Sequence, residues 1–135
     1  MNFSNIRAQV LPEFNKQFFE LLDDIDRIFP NKYEVKTTRF FMKTLSTLKP
    51  KCIIEFMNMY ILKPYGSHIK GGNLDFFSNN DFSNDSNVGD SEYVLDKIKM
   101  VVSYINMMTE SEKKTVAIYL QNMAELCEIY YSSSS

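Results

Sequence analysis

The chain has no tryptophan, a single histidine and only two cysteines in 135 residues. His68 alone leaves no histidine pair for a zinc site, and neither Cys52 nor Cys127 has a second cysteine or a histidine at ligand spacing. Both cysteines lie in apolar helical patterns, so buried free thiols are expected rather than a disulfide between helices. No run approaches the roughly 20 apolar residues of a membrane-crossing helix. The opening MNFSNIRAQVLPEF also has neither the basic start nor the apolar core of a signal peptide. The expectation is a cytoplasmic, nuclear or particle-bound protein without membrane insertion.

Catalytic and phosphate-binding patterns are also missing. His68 stands after Gly66 with Lys70 as its nearest charged neighbour and no Ser or Cys pattern to serve. Gly71 and Gly72 lack the GK[ST] ending of a Walker loop and the third glycine of a dinucleotide fingerprint. Asp23, Asp24 and Asp26 crowd the end of the first helix, where the helix dipole disfavours them, and read as a charged helix face. An enzyme is not expected, nor a cofactor.

What is present is the composition of one globular domain, 44% apolar and 24% charged, long enough to bury its own core. The first segment places Phe14, Phe18, Leu21, Leu22, Ile25, Ile28 and Phe29 at helical spacing up to Pro30. Pro12 suits a first helical turn, with residues 3–10 either extending the helix or preceding it as an arm. A second helix over 32–48 groups Val35, Phe41, Met42, Leu45 and Leu48 on one face. Pro50 then opens a third, CIIEFMNMYILK, apolar nearly all round, with a buried strand as the minority reading because of its β-branched residues. A fourth helix over about 91–107 buries Val94, Leu95, Ile98, Val101, Val102 and Ile105. The fifth starts at a capping box, Thr109 with Glu112, and runs through Val116, Leu120, Met123 and Cys127 to about Tyr131. The fold class is thus all-α, about five helices in a compact bundle, with Ser132–Ser135 as a frayed tail.

Residues 65–90 form a long Asn, Asp, Ser and Gly-rich connection between the third and fourth helices. Connections of that length are usually functional or disordered. Its stretch DFSNDSNVGDSE places Asp81, Ser83, Asp85, Asn87 and Glu92 at positions 1, 3, 5, 7 and 12 of a calcium loop, the positions that supply oxygen ligands. Ser86 stands where the sharp turn requires glycine, and no convincing helix enters, so a plain solvated loop is the expected reading and calcium the lesser one.

Net charge near −2 hides an uneven distribution: −2 over residues 1–31, +6 over 32–70 and −6 over 71–135. Lys32, Lys36, Arg39 and Lys43 fall within an arc of about 60° on the second helix, with Phe40 on the rim. Phosphate or an acidic partner could contact such a stripe. A solvated face answered by the acidic C-terminal half is the favoured alternative, and the sequence pI near 5.4 does not favour nucleic acid.

Nineteen aromatic residues are more than one small core readily hides. In the pairs Phe18–Phe19, Phe40–Phe41 and Tyr130–Tyr131 one ring can enter the core while the other turns about 100° away. Spare aromatic surface suggests self-association or a protein partner. The expectation is a non-enzymatic helical interaction or structural module. The alternative is a nucleic-acid-associated protein using the basic face of the second helix.

The stretch Ile69, Lys70, Gly71, Gly72, Asn73, Leu74, Asp75, Phe76 and Phe77, with the later helix containing Tyr119 and Leu120, resembles small helical proteins of large DNA viruses of algae and other protists. The Asn, Lys, Ile, Phe and Tyr-rich composition is similar to such AT-rich genomes. The resemblance spans residues 10–131 loosely, implies a virion or accessory protein, and transfers no catalytic pattern.

Overall fold

The computed structural model describes residues 3–75 and 92–133. Its helices are α1 (Phe3–Ile28), α2 (Tyr33–Leu48), α3 (Cys52–Met57), α4 (Gly66–Lys70), α5 (Glu92–Asn106) and α6 (Glu110–Ser132). The all-α expectation holds, with no strand among the described residues, and the third segment is helical rather than extended. None of the described helices is long and apolar enough to cross a membrane.

The long helix α1 forms the spine. Pro12 lies inside it rather than in its first turn, so residues 3–10 extend the helix. Phe14, Phe18, Leu21, Leu22 and Ile25 are all buried, as their spacing requires. Its most extensive partner is α6. Arg7 Nε donates to the Tyr130 carbonyl at 2.9 Å, and the Tyr119 hydroxyl bonds Asp24, so the two helices run antiparallel. Both cysteines are free thiols, Cys127 buried and Cys52 half-buried.

The apolar third segment passes from α3 into a π segment, Asn58–Leu62, closed by Lys63 N–H on the Asn58 carbonyl at 3.0 Å. A π turn shifts the helical register by one residue. Here Ile61 and Leu62 remain buried and Asn58 Oδ1 faces α6, accepting from Cys127 Sγ at 3.3 Å. Part of the long connection is ordered onto the core. Ile69 of α4 is fully buried, Leu74 is buried, and Gly72 ends α4 in the left-handed region at φ 72°. Lys70 pairs with Glu128 at 3.0 Å.

At the C-terminus the capping box forms as the sequence indicates. Thr109 Oγ1 accepts from Glu112 N–H at 3.2 Å while Glu112 Oε1 accepts from Thr109 N–H at 2.9 Å. The start of the supposed frayed tail is instead held: Ser132 closes α6, and Ser133 is buried with its hydroxyl on the Ile129 carbonyl at 2.7 Å.

Candidate functional site

Helix α2 carries three faces. The first is the packed face. Val35 and Thr38 are buried, but Met42 and Leu45 are only half-buried and Leu48 is 75% exposed. The helix is therefore anchored at its N-terminal half. Tyr104 of α5 adds to that anchorage, its hydroxyl donating to the Glu34 carboxylate. Burial first, and then Glu34, push the Tyr104 hydroxyl up to about 12.

The second face is the basic stripe, and α1 answers it rather than the acidic C-terminal half. Lys36 Nζ meets Asp26 Oδ1 at 2.7 Å and Arg39 Nε meets Asp23 Oδ1 at 2.6 Å. Lys43 Nζ lies 4.9 Å from the centre of the Phe19 ring. The three contacts form a regular ladder, each step back along α1 matched by an equal step forward along α2. The short turn between the helices makes them antiparallel, which brings the crowded end of α1 alongside the start of α2. Asp24, third in the acidic cluster, pairs with Arg27 at 2.6 Å. Compensation by neighbouring cations is how carboxylates persist where the dipole opposes them.

That ladder also explains an aromatic pair the sequence misassigns. Phe18 and Phe19 are both buried; Phe19 faces α2, beneath the cations of Arg39 and Lys43, a favourable seat for an aromatic ring. The opposite holds at Phe40 and Phe41, which are 76% and 41% exposed. Leu48 and Phe41, expected in the core, sit outward because α2 does not close onto the bundle along its whole length.

The third face follows from these exposures. Tyr33 (78% exposed), Phe40, Phe41 and Leu48 join the exposed Thr37 and Thr44 in an arc of about 100° that carries no charge. Along the axis the stripe runs about 22 Å. It also has an internal symmetry: Tyr33 and Leu48, Thr37 and Thr44, and Phe40 and Phe41 are each centred on the same point between residues 40 and 41. The symmetry is present in the sequence spacing, and burial shows that the uncharged arc faces out.

Of the calcium-loop residues, Asp81, Ser83, Asp85 and Asn87 lie outside the described residues, as does the side chain of Glu92 at the start of α5. Among the described residues no group of three or more His, Cys, Asp and Glu side chains is placed to hold a metal. His68 is exposed on α4. Comparison with family models, with curated proteins and with solved structures gives no match.

Proposed function

We propose that this chain is a non-enzymatic helical interaction module that pairs with a second copy of itself through the outer face of α2. The observation that carries the reading is the uncharged, two-fold-symmetric stripe of Tyr33, Phe40, Phe41 and Leu48. A dimer with closed symmetry uses the same patch on both subunits, each residue meeting its counterpart across the axis. With the axis between residues 40 and 41, two antiparallel α2 helices set Tyr33 against Leu48 of the second copy and Phe40 against its Phe41. Apolar side chains then meet at the centre and both ends of the stripe, with Thr37 against Thr44 of the second copy between them, and the basic faces stay at the rim.

One helix pair buries less than the roughly 800 Å² per partner of a standard interface, so the expected affinity is of micromolar order. The competing reading, nucleic-acid contact through Lys32, Lys36, Arg39 and Lys43, would require Lys36 and Arg39 to leave Asp26 and Asp23.

Cysteine cross-linking tests the register. In a chain with Cys52→Ala and Cys127→Ala, the pair Tyr33→Cys and Leu48→Cys together is expected to give a disulfide-linked dimer on mild oxidation. Tyr33→Cys alone is expected to give none, because its symmetry mate lies about two helical stripes' half-lengths away, on the order of 20 Å. Equal cross-linking by the single and double variants would contradict the register, and no cross-linking by either would contradict the pairing.

A further inference from the structure

Between the π segment Asn58–Leu62, α4 and the C-terminal half of α6 lies a groove of about 420 Å³, within the roughly 300–1,000 Å³ of small-molecule pockets. None of its lining residues belongs to α2, so the groove stands apart from the pairing face. Its floor is apolar: Leu62, Ala124 and Cys127 are buried. Beside them lies the Tyr131 ring, 41% exposed and set edge-on to Tyr130 with 5.1 Å between ring centres.

The rim is made of donors. Asn58, Lys63 and Ser67 all line the groove, and among the described residues Asn58 Nδ2, the Lys63 ammonium and the Ser67 hydroxyl have no partner. Lys70 adds a second ammonium, and the one carboxylate of the lining, Glu128, is already engaged by it at 3.0 Å.

The orientation of Asn58 follows from its neighbour. Burial, followed by the charge of Glu128, pushes the Cys127 thiol up to about 11, so at neutral pH it keeps its proton and donates it to Asn58 Oδ1 at 3.3 Å. An amide whose oxygen is held this way has its Nδ2 hydrogens left to give. The π turn that faces Asn58 toward α6 is of a kind that concentrates at functional sites. Three unanswered donors, one of them charged, above an apolar floor complement an anionic group on an apolar body.

We propose that this groove binds a small aromatic carboxylate, the carboxylate accepting from Asn58, Lys63 and Ser67 while the ring lies on Leu62, Ala124 and Tyr131. The probes are 2-naphthoate, its uncharged analogue 2-naphthamide and inorganic phosphate, titrated into the full chain by calorimetry. Naphthoate is expected to bind saturably, one per chain, and naphthamide about tenfold more weakly. Phosphate at equal concentration is expected not to displace naphthoate, because it cannot use the floor.

Asn58→Asp keeps the acceptor for Cys127 but replaces the donor with a second carboxylate oxygen, and is expected to weaken naphthoate about tenfold. Lys63→Glu is expected to do the same with an unchanged thermal midpoint, since Lys63 is exposed, and it decides the matter should Asn58→Asp not fold. Lys51→Glu, an equal change of charge outside the groove, is expected to leave binding as it is. Absence of saturable binding, equal affinity for the two naphthyl probes, displacement by phosphate, or equal weakening by Lys51→Glu and Lys63→Glu would each overturn the proposal.

Discussion

The guanidinium of Arg39 lies between the Asp23 carboxylate, 2.6 Å from its Nε, and the Phe19 ring, 5.5 Å from its Cζ. One side chain thus completes an ion pair and covers an aromatic ring that would otherwise meet water. A turn further on, the Lys43 ammonium sits over the same ring. The basic stripe of α2 therefore works inward, fixing the α1–α2 hairpin, and leaves the neighbouring uncharged arc as the outward surface.

The ladder predicts a charge-order effect. Lys36→Glu with Arg39→Glu sets like charges against Asp26 and Asp23 and removes the cation from Phe19, and is expected to lower stability by about 1–2 kcal/mol. Adding Asp23→Lys and Asp26→Lys should restore part of that loss. Urea unfolding of the three proteins checks this, and full stability of the first variant would remove the ladder's structural role.

Tyr104 predicts a stability change at high pH. Its hydroxyl, raised from 10 to about 12, stays protonated in the folded chain where the unfolded chain has begun to ionise. The folded state then holds more protons, so stability falls as pH rises between about 10 and 12 and is fully present below that window. Tyr104→Phe is expected to lose about 1 kcal/mol at neutral pH and to show a shallower alkaline decline. Phenolate absorbance against pH, with and without the substitution, identifies the late-titrating group.

The two thiols should react in order. Burial, followed by the charge of Glu128, pushes Cys127 up to about 11, and it is held on Asn58. Cys52 is raised chiefly by burial but is half-exposed. A disulfide reagent at pH 8 is expected to label Cys52 first, with Cys127 following only at the rate of opening, since the thiolate is the attacking species. Mass spectrometry of the labelled peptides decides it, and prior labelling of Cys127 would contradict the packing of α6.

The capping box gives a third stability test. Thr109→Ala removes the acceptor for Glu112 N–H, and the expected cost is about 1 kcal/mol, while Thr109→Ser keeps most of the stability. Thermal unfolding of the pair separates the lost cap from any general effect of substitution there.

Helix class was legible because apolar spacing is dictated by the helix itself: Phe14 through Ile25 in α1 and Val116 through Cys127 in α6 are buried as their periods require. The capping box was legible for the same local reason. What escaped depends on neighbours. Phe19 is buried because α2 brings cations over it, and Leu48 is exposed because α2 lies against the bundle only at its first half, neither of which a single helix encodes. Charge summed over long segments points the basic stripe to the acidic C-terminal half, whereas the short turn makes Asp23 and Asp26 at the end of α1 its nearest partners.

The most direct measurement of the central claim is solution mass by light scattering over a range of micromolar concentrations, at low and high salt, for the native chain and for Phe40→Asp with Leu48→Asp. Self-association through α2 predicts a mass that rises from monomer toward dimer with concentration, equally at both salts, and a variant that stays monomeric. A native chain that is monomeric throughout, or a dimer that the two aspartates leave intact, would contradict it.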